Sequence, residues 1–265
     1  MPDETAPERQ EKLGFTTVGN GPLKTIVLHG WFGDHTVWSP TFPLLDVTRF
    51  TYAFVDYRGY GRSRALEGQH TIAEIGTDAL ALAVDLGWDR FALVGHSMGG
   101  KVAQWIAMNA PDRVSAVVGV TPVPASALTM PAEITTLFSQ AGGDDQAALA
   151  VIDDSLGRRL TSTMAASVLK LQRETSNRSA FENYFSAFST TDFSDQADRL
   201  RAPLLILAGE HDGGISPEFV QAIYPTLYRH VEIEIVPNAG HYPMLETPAW
   251  LVTRIEEFLS QHAAG

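Results

Sequence analysis

Short apolar runs alternate with longer stretches of helical periodicity through most of the chain. Six runs of four to seven residues consist mainly of Val, Ile, Leu, Phe and Ala. Runs of this length and composition are typical of strands that are buried on both faces of a parallel sheet. The predicted strands cover residues 25–28, 50–55, 91–94, 114–120, 204–208 and 231–236.

The stretches between these strands repeat apolar residues every three or four positions, as amphipathic helices do. The clearest covers residues 71–86 and ends before Gly87, a typical residue after a helix C-terminus. Further helices are predicted over residues 99–109, 217–227 and 248–262. Strands that alternate with helices predict the α/β class, here a mostly parallel, doubly wound sheet with helices on both faces.

Residues 123–200 interrupt this alternation. They contain no β-like run, only helical patterns rich in Ala, Leu, Ser and Thr, which predicts a helical insertion packed over one edge of the sheet. We therefore expect a core of residues 13–122 and 201–265 and an inserted helical unit of residues 123–200. The polar, acidic residues 1–12 are expected to form a flexible N-terminus.

Charge and cysteine content exclude several chemistries. With no Cys among its 265 residues, the chain has no disulfide, thiolate metal site or cysteine nucleophile. Its 31 acidic and 19 basic residues give a net charge of −12, which disfavours nucleic acid and anionic membranes as partners. No metal-binding spacing such as H-E-x-x-H occurs, so we expect no metal and no cofactor.

The start of the chain lacks the apolar core of a signal peptide. We therefore expect a cytoplasmic protein whose partner is a small-molecule substrate. The sequence leaves the oligomeric state open.

The strongest chemical pattern is Gly95-His96-Ser97-Met98-Gly99-Gly100, which follows the predicted strand 91–94 and precedes the predicted helix 99–109. It satisfies G-x-S-x-G between a strand and a helix, the context in which a sharp turn exposes a nucleophilic serine. The alternative is a glycine-rich turn whose serine only caps the helix. The context favours Ser97 as the nucleophile.

A serine nucleophile needs a base and an acid that orients it. His241 follows the strand 231–236, and Asp212 follows the strand 204–208, so both lie at the carboxyl edge of the predicted sheet. The chain order Ser97, Asp212, His241 is the order of a Ser-Asp-His triad on such a sheet. Glu210 is the alternative acid, and a turn-forming role is the alternative for His241.

An oxyanion site needs two converging N–H donors. Met98, directly after the nucleophile, is expected to supply one, and Trp31, in the loop after the strand 25–28, the other, with Phe32 as the second choice. Phe32 is also expected to wall the substrate pocket, or else only to pack there. His96 and His29 flank the same pocket. The alternative role for both side chains is to brace the loops.

These motifs together resemble the α/β-hydrolase family. The matching residues are His29-Gly30, Asp56-Tyr57-Arg58-Gly59-Tyr60-Gly61-Arg62-Ser63, Gly95 through Gly100, Gly209-Glu210-His211-Asp212 and Gly240-His241. The resemblance implies an α/β-hydrolase fold in which residues 123–200 form a lid whose helices line the acyl or alcohol pocket. Serine at position 97, where other branches carry aspartate, disfavours the epoxide hydrolases and haloalkane dehalogenases.

The loop from Gly30 to Trp38 widens the choice of function. It resembles G-F-G-x-D-Q-x-x-W of hydrolase-fold signalling receptors and G-W-x-x-D-H of cofactor-free quinolone dioxygenases. Our leading hypothesis is a serine hydrolase that cleaves a carboxylic ester of a small to medium organic substrate through an acyl-enzyme. The same triad acting on a C–C bond, a lactone or an amide, and a hydrolase-fold receptor or cofactor-free oxygenase, are the alternatives.

Overall fold

A seven-stranded sheet organises the computed structural model, which describes residues 12–262. The strands are β1 (Phe15–Gly19), β2 (Leu23–Leu28), β3 (Phe50–Val55), β4 (Phe91–His96), β5 (Val114–Val120), β6 (Leu204–Gly209) and β7 (Glu232–Val236). Their order is β1-β3-β2-β4-β5-β6-β7. All neighbouring pairs are parallel except β1 and β3. The predicted α/β class with a mostly parallel sheet is confirmed.

The six predicted strands are all present, and β1 is the strand that the sequence pattern missed. It is antiparallel to β3, with Phe15 opposite Val55 and Gly19 opposite Thr51. None of its five residues is fully buried, because it lies at the edge of the sheet. A half-exposed edge strand lacks the continuous apolar run by which the inner strands were predicted.

Helices cover both faces of the sheet. Outside the insertion they are α1 (Ile72–Asp85), α2 (Met98–Asn109), α7 (Pro217–Leu227), α8 (Pro243–Glu246) and α9 (Pro248–His262). The first begins at Thr71, whose hydroxyl accepts the N–H of Glu74, and ends before Gly87, which has a φ of 68°. The pattern did not predict the short α8 or the 3-10 helix His35–Leu44, which contains two prolines.

The segment between β5 and β6, all of which the structure describes, contains helices and loops and no strand, apart from an isolated β-bridge of Ser176 with Tyr60. Its elements are α3 (Ala132–Gln140), α4 (Asp145–Ser155), α5 (Ser162–Thr175), α6 (Arg178–Thr190) and the 3-10 helix Ser194–Arg199. Phe181, Tyr184 and Phe188 of α6 are buried, whereas α3 has no buried residue. We call these five elements the inserted helices. That they are divided from the core at residues 123 and 200 stays a prediction.

The inner strands of the sheet are largely buried. Every residue of β3, β4, β5 and β6 is buried, as expected of strands covered by helices on both faces. Among the described residues, no helix has the length and apolar character needed to cross a membrane. The predicted flexible N-terminus lies outside the described residues, apart from Lys12, whose ammonium pairs with Asp85 at 2.9 Å.

Candidate active site

Ser97 occupies the single position between the end of β4 and the start of α2. Its φ of 53° and ψ of −117° are strained for a residue with a side chain. A Cβ on Gly99 would lie 2.6 Å from the carbonyl oxygen of His29, so only glycine allows the turn to approach the loop after β2. The strand-turn-helix context therefore has the geometry that the motif predicted.

Backbone hydrogen bonds hold Ser97 against the next strand. Its N–H donates to the carbonyl of Val120 at 3.0 Å, and its own carbonyl accepts from Val123 at 3.0 Å and from Gly100 at 2.9 Å. The turn is thus bonded to the end of β5 on one side and to the first turn of α2 on the other. Because both polar groups of its backbone are bonded, the strained conformation is fixed by its surroundings.

Asp212 and His241 lie in contact at the carboxyl edge of the sheet. The Nδ1–H of His241 donates to Oδ2 of Asp212 at 2.6 Å, and the Asp212 side chain is fully buried. Its other oxygen, Oδ1, accepts the N–H groups of Gly214 at 2.9 Å and Ile215 at 3.0 Å. The carboxylate is therefore fixed in place with one oxygen directed at the imidazole, an arrangement that leaves Nε2 of His241 as the basic nitrogen.

The alternative acid, Glu210, is engaged elsewhere. Its Oε2 accepts the N–H of Asn238 at 2.8 Å, and its side chain is 47% exposed. Asp212, and not Glu210, is the carboxylate bonded to His241.

His96 connects the serine turn to the histidine loop. Its Nε2 lies 2.8 Å from the carbonyl oxygen of His241 and must carry the proton, because a carbonyl only accepts. Thr121 donates its hydroxyl to the same oxygen at 3.0 Å. The rings of His96 and His241 are 5.0 Å apart. The residue before Ser97 thus holds the backbone of His241 in place.

Burial keeps the His96 ring neutral. It lowers the pKa of His96 well below the usual value, and the neighbouring His241 lowers it further. The ring is buried, and its one hydrogen bond within residues 12–262 is to the backbone of His241; its place in the substrate pocket stays a prediction.

The loop after β2 lies against the serine turn. A Cβ on Gly30 would be 3.2 Å from the Cβ of Ser97, so the peptide that leads into Trp31 passes beside the Ser97 side chain. Within residues 12–262, the backbone N–H groups of Trp31 and Met98 have no hydrogen-bond acceptor. The carbonyl of Trp31 accepts the hydroxyl of Tyr60 at 3.0 Å, which holds this loop in place.

An aromatic cluster joins the same loop to the inserted helices. Its members are Trp31, Phe32, Phe138, Phe181, Phe185 and Phe188. The rings of Trp31 and Phe181 stack with centroids 4.1 Å apart, and the indole N–H donates to the carbonyl of Phe181 at 2.7 Å. Phe32 packs edge-on against both rings. The side of the site that faces α3 and α6 is therefore aromatic and apolar.

Comparison with known proteins agrees with this architecture. The sequence profile of the alpha/beta hydrolase fold matches residues 26–248, most of the chain. The chain belongs to the α/β-hydrolase family. The family resemblance drawn from the motifs is therefore confirmed.

Individual relatives of this α/β hydrolase include esterases. A pimeloyl-acyl-carrier-protein methyl ester esterase of Serratia marcescens is 28% identical over 262 residues, covering 94% of this chain and 99% of the relative. An esterase of Exiguobacterium antarcticum superposes with a TM-score of 0.83 at 18% identity, covering 94% and 95% of the two chains. A bromoperoxidase of Bacillus anthracis superposes with a TM-score of 0.82 at 21% identity, covering 93% and 94%. At these identities the two structures show the fold alone.

One cluster in the hydrolase has the composition of a metal site. Ligand atoms of Asp34, His35 and Asp56 lie within 4.8 Å of one another. Both carboxylates already accept hydrogen bonds from protein groups. Asp56 accepts from the backbone N–H and the Nδ1–H of His35 and from the N–H of Arg62, and Asp34 accepts from the N–H of Thr36. The cluster is a hydrogen-bonded support of the loop after β2.

Three residues at the site of this hydrolase were missed by the sequence argument. Thr121 bonds the carbonyl of His241, Glu246 bonds the N–H groups on both sides of that histidine, and Arg159 pairs with Glu246. An acid five positions after the candidate base His241 is a pattern that could have indicated Glu246, because a carboxylate at the end of a one-turn helix can reach back to preceding N–H groups. No pattern indicated Arg159.

Proposed function

We propose that this α/β hydrolase is a serine hydrolase that cleaves a carboxylic ester of a small to medium organic substrate through an acyl-enzyme. The observation that carries the proposal is the 2.6 Å hydrogen bond from His241 to the buried Asp212, at the sheet edge that also presents Ser97 on a strained turn. This is the set of groups that nucleophilic acyl transfer requires.

In the proposed acylation, the Oγ of Ser97 attacks the ester carbonyl carbon while Nε2 of His241 takes its proton. Asp212 keeps the imidazole in the tautomer that bears hydrogen on Nδ1 and stabilises the imidazolium that forms. As the tetrahedral intermediate collapses, the bond to the alkoxy group breaks, and His241 returns the proton to the departing alcohol.

The negative oxygen of the tetrahedral intermediate needs donors that are aimed at it in advance. The N–H groups of Met98 and Trp31 suit this role, because both flank Ser97 and neither has an acceptor within residues 12–262. Met98 also opens α2, so its N–H lies at the positive end of the helix dipole. Water then attacks the acyl carbon, with His241 again as the base. The bond to Oγ of Ser97 breaks, His241 returns the proton to Oγ, and the carboxylic acid is released.

The aromatic cluster beside Ser97 favours an apolar acyl group. The aromatic cluster presents Phe32 of the core together with Phe181 and Phe185 of α6 around Trp31. The esterase relatives support ester hydrolysis as the reaction class, and a methyl ester, named for the Serratia marcescens relative, is one small alkoxy group to include among test substrates.

The decisive experiment is Ser97→Ala, assayed on p-nitrophenyl esters beside panels of lactones and amides. We expect turnover of the preferred class to fall by about 10⁴-fold or more, because the acyl-enzyme route is lost. Ser167→Ala, an exposed serine on α5, is the matched control and should retain wild-type rates.

Labelling locates the nucleophile independently. A fluorophosphonate should add to Ser97, as seen by mass spectrometry of peptides, and should not add to the Ser97→Ala protein. Wild-type turnover in Ser97→Ala, or ester turnover without a label on Ser97, would refute the proposal. No label on Ser97 together with no hydrolysis would favour the oxygenase alternative. Activity that prefers lactones or amides would keep the triad and change the bond.

A further inference from the structure

We propose that Glu246 and Arg159 are positioning residues: Glu246 clasps the backbone on both sides of His241, and Arg159 ties this clasp to the inserted helices. The inserted helices would thus hold the base in place as well as cover the pocket. This inference rests on the proposed role of His241 as the base.

The clasp is a bidentate contact by one buried carboxylate. Oε2 of Glu246 accepts the N–H of Gly240 at 2.8 Å, and Oε1 accepts the N–H of Tyr242 at 3.0 Å. The side chain of Glu246 is only 1% exposed. Hydrogen bonds from N–H groups to an ionised carboxylate are among the stronger ones in proteins, so they limit movement of the residue between them, His241.

The inserted helices supply the other contacts. The N–H of His241 itself donates to the carbonyl of Ser155, the last residue of α4, at 2.8 Å. From the loop between α4 and α5, Arg159 pairs with Oε2 of Glu246 and donates to the carbonyl of Asn238 at 2.7 Å. The polar backbone groups around His241 are therefore held from two directions, by Glu246 and by residues 155–159.

Charge explains why an acid and an arginine are paired here. A carboxylate removed from water is costly unless a cation and hydrogen-bond donors compensate it. Two backbone N–H groups and one guanidinium do so for Glu246. A glutamine in its place presents one oxygen and one NH₂ group, and the NH₂ would face a backbone N–H that needs an acceptor. Glu246→Gln therefore breaks half of the clasp with almost no change in volume.

The consequence is a coupling between the position of the insertion and the position of the base. A displacement of about 1 Å at a catalytic group costs roughly 10²-fold in rate. Residues 155–159 contact the histidine loop and lie outside the aromatic cluster. Loosening them should lower kcat for every substrate, whereas a loss of pocket wall should raise KM for bulky substrates only.

The test uses Glu246→Gln and Arg159→Gln, with p-nitrophenyl acetate as the small ester and p-nitrophenyl hexanoate as the large one. We expect kcat to fall about 10²-fold in Glu246→Gln and about 10-fold in Arg159→Gln on both esters, with KM for the acetate within about twofold of wild type. Arg159→Lys, which keeps the charge, should recover most of the rate.

Arg254→Gln is the matched control. Arg254 lies on α9, pairs with Glu234 of β7, and is 26% exposed, close to the 27% of Arg159. It should keep the wild-type kcat. Circular dichroism and thermal unfolding report whether each variant folds. If Glu246→Gln does not fold, Arg159→Gln tests the inference alone, because the partly exposed side chain of Arg159 can be replaced without leaving a buried cavity.

Four outcomes separate the possibilities. A folded Arg159→Gln with wild-type kcat on both esters would overturn the inference, and so would a rise in KM for the hexanoate alone. Equal losses in Arg159→Gln and Arg254→Gln would also overturn it, because they would reflect general destabilisation. Retained activity in Ser97→Ala marks instead a failure of the proposed function, so the two failures are distinguishable.

Discussion

The carboxyl edge of the sheet and the inserted helices contribute to the candidate site in different ways. The loops after β2, β4, β6 and β7 carry Trp31, Ser97, Asp212 and His241, and the strands that lead into the first three are largely or wholly buried. The inserted helices are amphipathic, and α3 buries none of its residues. They supply aromatic rings around Trp31 and the contacts of residues 155–159.

This difference follows from how each region is held. Parallel strands end at one edge, and their register within a hydrogen-bonded sheet fixes the points from which the following loops begin. Helices packed by side chains admit more variation in position. We therefore expect substitutions at the sheet edge to act on the chemical step, and substitutions in the inserted helices to act mainly on stability and substrate size, residues 155–159 excepted.

After Ser97→Ala, the largest effect is expected for Asp212→Asn. The Asn oxygen can still accept from Gly214 and Ile215, which turns its NH₂ group toward His241 and imposes the wrong tautomer on the imidazole. We expect kcat to fall about 10⁴-fold with little change in stability, as for the same change in other triads. Steady-state assays on p-nitrophenyl acetate would measure it.

Glu210→Gln is the control for that experiment. Glu210 is the neighbouring acid that bonds Asn238 instead of His241, so its variant should stay within about threefold of the wild-type rate. A larger loss in Glu210→Gln than in Asp212→Asn would reverse the assignment of the acid.

A smaller effect, and one on stability, is expected in the aromatic cluster. Phe181 is fully buried and stacks on Trp31 at 4.1 Å, so Phe181→Ala should lower the free energy of unfolding by about 3 kcal/mol. Phe138 of α3 is half-buried, with ring centroids 5.6 Å from Trp31, and Phe138→Ala should cost about 1 kcal/mol. Urea denaturation would measure both losses.

The same two variants test the function of the rings. Both should raise KM for p-nitrophenyl hexanoate more than for the acetate. Equal losses of stability in the two variants would contradict the weaker packing of α3, and a loss of kcat without a change in KM would contradict the pocket role.

The smallest effect concerns the support of the loop after β2. Burial lowers the pKa of His35, but the hydrogen bond and the charge of Asp56 outweigh it and raise this pKa above its usual value of 6.5. Burial likewise opposes ionisation of Asp56, but His35 and backbone donors hold the pKa of Asp56 below its usual value of 3.8. Their mutual stabilisation is therefore complete between these usual values, and it is lost as pH rises through the folded-state pKa of His35.

Comparison of wild type with His35→Gln should reveal the pH range in which the His35–Asp56 pair stabilises the fold. The difference in free energy of unfolding between wild type and His35→Gln should be larger at pH 5.5 than at pH 8.5, because the raised pKa of His35 adds stability only while the imidazole is protonated. Urea denaturation at the two pH values measures it, with the exposed His230→Gln as the control. A difference that grows with pH would mean that neutral His35 is the form favoured by the fold.

Much of the core was predictable from the sequence. The inner strands were found because short, continuous apolar runs are typical of strands covered on both faces, and the serine turn because glycines flank it between a strand and a helix. The edge strand β1 was missed because its residues are half-exposed and its pattern is weak. The 3-10 helix His35–Leu44 was missed because its two prolines suggest a loop.

At the candidate site, too, some features were predictable from the sequence and others required the structure. The chain order of Ser97, Asp212 and His241 follows from local motifs, each of which lies within a few residues of a strand end. The choice between Asp212 and Glu210, only two positions apart, required the loop conformation that directs one carboxylate at His241 and the other at Asn238.

The sequence alone therefore indicated what a local pattern encodes: the alternation of strands and helices, the tight turn at Ser97, and the candidate acid and base that follow later strands. The tertiary structure decided which groups face one another across distant segments. His96 meets the carbonyl of His241 across 145 positions, and Arg159 meets Glu246 across 87. Such contacts depend on the packing of whole elements, and no period or motif in the chain encodes them.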